Sequence, residues 1–316
     1  MRARSAAAVF FLLAAPALAT DLRITLLGTG NPRPSVERFG PSSLVEIPGE
    51  AGTRLLVDAG RGTTTRLFQV GQAPLLSGVD CVVLTHLHSD HVVGLPDLWL
   101  TAWLFGREKP LRVHGPIGTR AMTEGLKKAF AFDVRMRRDV DEKLPAKGAE
   151  LEAIEVAPGR PFACGGFTVT AFRVDHGPVI PSFGYRVEAK GRAVVFSGDT
   201  RATDAVADAA RGADVLVHEV ASPDAERRLA QVKGKDRIER ILARHTAPED
   251  AGRIFAKAKP RLAVYSHVVP SPATAEDLVP PTRATYQGPL EVGEDLMVIE
   301  VGETVTVRRP SPRPPS

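Results

Sequence analysis

Four side chains that commonly bind metal ions lie within one short stretch, "LTHLHSDHVVGL". His86, His88, Asp90 and His91 follow the apolar run "CVVL", which is typical of a buried strand. Histidine is the most common metal ligand in proteins, and carboxylates bind many of the same ions. If the first two histidines lie in an extended segment, their side chains project to one side, and the loop that follows lets Asp90 and His91 reach a second point nearby. The stretch therefore predicts half of a site for two adjacent metal ions, with surface histidines and a helix cap as the alternative.

Further residues of the same types stand where later or earlier apolar runs end. They are Asp58, Asp175, His176, Asp199, His218, Glu219 and His267. Polar residues at strand ends gather at one edge of a sheet, which is where open α/β folds place their ligands. A structural zinc site would favour thiolates, and the chain has only two cysteines. Histidines and aspartates without thiolates indicate a catalytic metal site.

The elements that position these residues alternate along the chain. Short runs rich in Val and Ile predict strands, among them "LRITLLG", "TRLLVDAG", "FTVTAFRVDH", "AVVFSGDT", "ADVLVHE" and "RLAVYSH". Helical patterns lie between them, such as "GTTTRLFQVG", "TRAMTEGLKKAF" and "ATDAVADAAR", and one that begins near Pro248. The alternation indicates an α/β protein with layered sheets.

The two ends of the chain differ from its middle. Residues 1–19 combine two arginines, an apolar run and an Ala-Leu-Ala cleavage site ending at Ala19, which predicts a secretory signal peptide and a periplasmic or secreted protein. The apolar run is shorter than the ~20 residues that a membrane span requires, so we expect no stable membrane association after cleavage. Residues 309–316 predict a disordered Pro-rich tail. Residues 20–308 remain for a single folded domain.

Composition excludes little beyond this. The 316 residues are 43% hydrophobic, ample for a buried core, and the formal net charge of +4 makes only a weak case for nucleic-acid binding. Cys81 begins an apolar strand and is predicted as a buried small residue, with a bridge to Cys164 as the alternative. The oligomeric state is open, with a homodimer among the possibilities.

The motifs together carry a family resemblance. In order, "THLHSDH", "DHG", "SGDT" and "SHV" resemble the metallo-β-lactamase superfamily, over about residues 22–269. The resemblance implies an αββα sandwich of two mixed β-sheets flanked by helices, with two zinc ions, or manganese or iron, between the sheets. Carried over by position, His86, His88 and His176 would bind the first ion. Asp90, His91 and His267 would bind the second, Asp199 would bridge the two, and Asp58 would orient a ligand histidine.

A second set of segments resembles the ribonuclease Z and arylsulfatase branch of that superfamily. These are "LLGTGNPRPS", "HSDHVVGLP", "HGPIGT", "SGDTR", "VHE" and "RHTAPEDAG". The resemblance implies that His245 helps the leaving oxygen depart and that Glu219 holds its other ring nitrogen. Asp90 would take the proton of a hydroxide shared by the metals. A surface ion pair for Glu219 and His245, and a helix cap for Asp199, are the alternatives.

The metal motifs predict hydrolysis without choosing the ester. Residues 177–198, between His176 and Asp199, are too few for the long arm with which many ribonuclease Z enzymes grip tRNA. They carry only Arg186, Lys190 and Arg192 as cations, and the basic residues are dispersed along the chain. We therefore expect an exported arylsulfatase-like hydrolase or phosphodiesterase acting on a small anionic ester, with tRNA binding unfavoured. The alternatives are a ribonuclease Z-type tRNA 3′ endonuclease, a lactonase and a metal-binding protein without turnover.

Overall fold

Two mixed β-sheets form the centre of the fold. The computed structural model describes residues 20–50 and 53–310. The first sheet has the order β15-β14-β1-β2-β3-β4-β5-β6, and the second has the order β13-β12-β11-β10-β9-β8-β7. The first comprises β1 (Thr20–Gly28), β2 (Ser42–Glu46), β3 (Arg54–Val57), β4 (Cys81–Val83), β5 (Leu111–Gly115), β6 (Leu151–Glu155), β14 (Val298–Gly302) and β15 (Val305–Arg308). The second comprises β7 (Pro161–Cys164), β8 (Phe167–Arg173), β9 (Phe183–Ala189), β10 (Arg192–Phe196), β11 (Val215–Ala221), β12 (Leu262–Val269) and β13 (Leu290–Val292).

Alternation along the strands builds the core between the sheets. Leu22, Ile24 and Leu26 of β1 pack with Val169 and Tyr185 of the second sheet in one buried apolar cluster. Two further clusters hold helices against the outer face of each sheet. The layers therefore run helix, sheet, sheet, helix, and the fold predicted from the sequence is confirmed.

Helices fill the outer layers and the loops around them. They are α1 (Thr63–Ser77), α2 (Ser89–Val92), α3 (Leu95–Leu104), α4 (Thr119–Ala129), α5 (Ala131–Arg135), α6 (Asp204–Ala209), α7 (Pro223–Arg227), α8 (Ala230–Lys233), α9 (Lys235–Leu242), α10 (Pro248–Ala258) and α11 (Ala275–Arg283). A π-helical turn spans Met136–Asp141, and a 3₁₀ turn spans Ala146–Ala149. The helical patterns in the sequence match α1, α4, α6 and α10. The helices from α7 to α9, of five, four and eight residues, are not among the predicted ones.

Strand direction brings the candidate ligands to one edge. Strands β3 to β6 run parallel, and so do β10 to β13. Their carboxyl ends therefore point the same way within each sheet, and residues that follow these ends share a rim. The segment that contains His86 follows β4, and Asp199 follows β10.

A disulfide joins the two sheets. Cys81, the first residue of β4, is bonded to Cys164, the last residue of β7, and their Cα atoms are 6.1 Å apart. The structure thus has the disulfide, which the sequence left as the alternative to a buried free thiol. Both side chains lie in the core between the sheets, and a separation of 83 positions could not indicate this proximity.

The ends of the chain are only partly described. Residues 1–19, where a signal peptide is predicted, and 311–316 of the predicted tail lie outside the described residues. Arg309, with which that tail was predicted to begin, forms ion pairs with Glu291 and Glu294. No helix in residues 20–50 and 53–310 is long and apolar enough to cross a membrane.

Removing the disulfide should destabilise the fold without emptying the candidate metal centre. We expect the double variant Cys81→Ala/Cys164→Ala to lose about 2–4 kcal/mol of unfolding free energy, since a crosslink restricts the unfolded chain. Urea denaturation with and without reductant checks this: reductant should lower the midpoint of the wild type and leave that of the variant unchanged. A wild-type midpoint that reductant does not move would contradict the expectation.

Candidate metal centre and active site

The loop after β4 supplies four of the candidate ligands. His86 is fully buried, and His88, in extended conformation, precedes α2, which carries Asp90 and His91. The loop packs closely on the chain after β3: the amide of Ala59 donates to the carbonyl of His91 at 2.8 Å. A Cβ on Gly60 would lie 2.5 Å from the carbonyl oxygen of Asp90, so this approach requires glycine.

The second sheet supplies the other three candidate ligands. His176 follows β8, Asp199 follows β10, and His267 lies within β12. The parallel register of β11 and β12 pairs Glu219 with Ser266 and then Val220 with Val268, so His267 is an extra residue. Its φ of 42° is unusual for a residue with a side chain. This β-bulge turns the imidazole of His267 toward the other ligands.

The seven side chains form two adjacent groups with Asp199 between them. In one group the ligand atoms of His86, His88, His176 and Asp199 lie within 4.8 Å of one another, and in the other those of Asp90, His91 and His267 do. The Oδ2 atom of Asp199 is 3.8 Å from Nε2 of His176, 3.4 Å from Nε2 of His91 and 3.3 Å from Nε2 of His267. A carboxylate in this position can contact an ion in either group.

The donor set fits metal ions for a second reason. Nε2 of His91 and Oδ1 of Asp199 are buried and have no hydrogen-bond partner among the described residues. Such groups are rare in folded proteins unless an ion or water satisfies them. Burial also lowers the pKa values of His86, His88 and His176, which favours the neutral imidazole that binds a metal. These side chains could therefore hold two metal ions.

Asp58 fixes the orientation of one of these imidazoles. Its carboxylate accepts hydrogen bonds from the backbone amide of Thr85 at 2.8 Å, from the Thr85 hydroxyl at 2.9 Å, and from Nδ1 of His91 at 2.8 Å. With the proton on Nδ1, Nε2 of His91 is left free to bind a metal. His176 is held in the same way, since its Nδ1 lies 3.1 Å from the carbonyl oxygen of Arg244.

His245 and Glu219 form a buried pair beside the ligands. Nδ1 of His245 is 3.2 Å from Oε2 of Glu219, whose Oε1 accepts from the amides of Thr246 and Thr200. Burial lowers the pKa of His245, but the charge of Glu219 and its hydrogen bond outweigh burial and raise the pKa to about 9. The imidazole is therefore protonated at neutral pH and can act as an acid. The ring lies 5.6 Å from the ring of His267, centroid to centroid.

An open cleft of about 660 Å³ leads to these residues. Its lining combines the ligands with apolar and basic side chains from α7 to α9 and from the loop after β1. The basic ones are Arg33, Lys233, Arg237, Arg240 and Arg244. The expectation that basic residues are dispersed is wrong for this region, because four of the five lie within residues 233–244 and Arg33 joins them from the loop after β1. Arg237 and Arg240 lie three residues apart on α9, and Arg244 lies two residues beyond its end. This spacing is the signal that the sequence offers.

The family model for the beta-lactamase superfamily domain matches residues 53–268, which include all seven candidate ligands. The chain belongs to the metallo-β-lactamase superfamily. It is 37% identical over 287 residues to a ribonuclease Z of Mycobacterium bovis (strain BCG / Pasteur 1173P2), covering 89% of this chain and 98% of the relative. The predicted hydrolase class is confirmed: the protein is a metal-dependent hydrolase that acts on ester bonds.

Solved structures share the fold at lower identity. The metallo-β-lactamase fold protein YhfI of Bacillus subtilis superposes with a TM-score of 0.64 at 20% identity, covering 88% of this chain and 98% of that one. The short form of human tRNase Z superposes with a TM-score of 0.61 at 24% identity, with the same coverage. These likenesses show the sandwich fold and leave the substrate to other arguments.

Substituting Asp58 should weaken metal binding without removing a ligand. In Asp58→Asn an amide nitrogen replaces one of the two carboxylate oxygens, so Nδ1 of His91 loses its acceptor. We expect ~10- to 100-fold lower metal affinity. Titration against a chromophoric chelator measures this. Asp97→Asn is the matched control, because it changes an exposed carboxylate on α3 that accepts a hydrogen bond from the hydroxyl of Thr101. Equal affinities in the two variants would show that Asp58 does not orient a ligand.

Proposed function

We propose that the protein is a ribonuclease Z-type phosphodiesterase that binds two zinc ions and cleaves RNA at the 3′ end of precursor tRNA. The observation that carries the proposal is the complete ligand set with His245 beside it, in a chain that aligns with relatives named ribonuclease Z over 98% of their length. The expectation that tRNA binding is unfavoured rested on a missing arm. The alignment covers 98% of the length of the relative, so few residues of the relative lie outside the matched part. The missing arm therefore does not distinguish this chain from that relative.

The residues of the chain have distinct tasks in this proposal. One zinc ion would be held by His86, His88 and His176, and the other by Asp90, His91 and His267, with Asp199 between the two groups. When bound, two such ions supply a hydroxide nucleophile at neutral pH and stabilise negative charge on the phosphoryl oxygens. Asp90 accepts the proton of the attacking group. His245 donates a proton to the departing oxygen, and Glu219 keeps that proton on the imidazole at neutral pH.

A second candidate function rests on the first residues of the chain. If residues 1–19 direct export, the protein meets little precursor tRNA, and a small anionic ester is the more accessible substrate. The same metal ligands and His245 would then hydrolyse a phosphodiester or an aryl sulfate in the periplasm. The signal-like sequence is the specific support for this candidate.

His245 should be needed for turnover and not for metal binding. We expect His245→Ala to keep both metal ions and to lose about 10²- to 10⁴-fold in kcat, the usual contribution of a general acid. The loss should be smaller for a nitrophenyl ester, which needs little help from an acid, than for an alkyl ester. Elemental analysis and steady-state rates on the two esters measure this.

The pH profile gives an independent check on the same role. Because the pKa of His245 is raised to about 9, the protonated form persists through neutral pH and is lost above that value, so kcat should fall on the alkaline side. In Glu219→Gln the carboxylate that raises the pKa is absent, and the fall should move to lower pH. An alkaline limb that stays in place, or loss of metal from His245→Ala, would exclude the acid role.

The substrate is decided by direct competition between the two candidates. Residues 20–316, loaded with zinc, should trim a precursor tRNA at one position at physiological salt, and should hydrolyse bis-p-nitrophenyl phosphate faster than p-nitrophenyl sulfate. Gel analysis of the RNA and absorbance assays of the two esters measure this. Hydrolysis of the sulfate with no cut in the RNA would replace the first candidate by the second.

A further inference from the structure

Helix α9 and the turn after it present arginines on one side only. Arg237 and Arg240 are three residues apart on α9, which places them on one face, and Arg244 lies two residues beyond the helix. All three line the cleft that leads to the metal ligands. Ile238 is buried under the helix. The acidic residue Glu239 points elsewhere and pairs with Arg227 of α7.

The guanidinium groups of these arginines have no partner among the residues that the structure describes. Among residues 20–50 and 53–310, no side-chain hydrogen bond or ion pair involves the guanidinium groups of Arg237, Arg240 and Arg244, nor that of Arg33 across the cleft. Lys233 differs, because its ammonium group lies 2.7 and 2.8 Å from the two carboxylate oxygens of Glu226. Four uncompensated positive charges thus converge on one opening.

Apolar side chains lie among the arginines. Leu229, Ile241 and Val269 line the same cleft, and Val232, at its edge, is 87% exposed. A fully hydrated anion would make no contact with these apolar side chains. A ligand that carries both repeated negative charges and flat apolar faces matches the alternation.

We infer that this arginine face, formed by Arg237, Arg240 and Arg244 with Arg33 opposite, binds the phosphates of a single-stranded nucleic acid next to the scissile bond. The inference rests on the proposed phosphodiester hydrolysis at the same site. A small ester is held by the metal centre alone and requires no further cations, whereas several phosphates in a row require several. Bases present apolar and π faces to aliphatic and guanidinium groups, and sulfated sugars do not.

The test measures binding separately from cleavage. The zinc-loaded protein is titrated into a fluorescein-labelled oligodeoxythymidylate at several salt concentrations, and anisotropy gives the affinity; a gel verifies that the probe stays intact. Arg237→Gln/Arg240→Gln should bind at least tenfold more weakly at low salt. The slope of log K against log salt should become shallower by about 1.4, since each lost phosphate contact removes about 0.7 on a single strand.

Two further variants separate charge from folding. Arg237→Lys/Arg240→Lys keeps the charges and should restore most of the slope. Arg253 lies on α10, away from the cleft, and pairs with Asp250. Arg253→Gln removes one arginine charge there and should leave affinity unchanged. All these residues favour helices to a similar degree, and circular dichroism verifies that helix content is equal.

The outcomes distinguish the inference from the proposed function. Equal affinity and slope in the wild type and the Gln variant would overturn the inference, even if the protein trims precursor tRNA. A heparin fragment that binds more tightly than the oligonucleotide of equal charge, and depends on the same arginines, would overturn it in favour of a sulfated glycan. If the wild type leaves precursor tRNA intact and the Gln variant binds the oligonucleotide more weakly, precursor tRNA is excluded as the substrate. The inference about the arginine face is then still supported.

Discussion

A carboxylate buried among imidazoles is the feature on which the rest of the structure depends. Asp199 is 3% exposed, and its Oδ2 lies within 4 Å of the ring nitrogens of His86, His91, His176 and His267. Withdrawing a charge from water costs free energy that neighbouring charges must offset. Metal ions offset it more completely than protons do, so folding of this rim and metal binding are coupled.

Strand direction places the other candidate ligands around Asp199. Ligands arrive from the ends of strands in both sheets, and the outer helices, which pack on the opposite faces, contribute none of them except through the short α2. A site assembled in this way tolerates change in the outer layers more readily than at the strand ends. The loops between strands and helices are less constrained, and the segment that contains α7 to α9 lines one side of the cleft.

Sequence reasoning succeeded where chemistry and spacing are local. The close set of His86, His88, Asp90 and His91 predicts a metal site because no other role needs so many ligands together, and the strand patterns predict the sandwich. The same reasoning failed where three-dimensional proximity decides. His267 was placed among the ligands by resemblance, but the bulge that turns it inward is a matter of register and was not predicted. The disulfide joins residues that no local signal connects.

The arginine face was missed for a related reason. Charged residues at helical spacing are usually a solvated surface, and only the placement of α9 over the cleft gives Arg237 and Arg240 a common target. Residues 177–198 are also a poor guide to the substrate, because the cations that line the cleft lie elsewhere, at Arg33 and in residues 233–244. Substrate preference in such a fold is set by loops, which leave the least trace in a hydrophobic pattern.

The disulfide and the candidate metal centre join the same two sheets at opposite ends of β4. Cys81 opens that strand, and the segment with His86 follows its last residue, Val83. The two sheets are therefore linked on either side of one short strand, covalently before it and through the candidate ligands after it. Differences in the shape of the cleft then arise from the loops and short helices of the rim, such as residues 223–242, which line it.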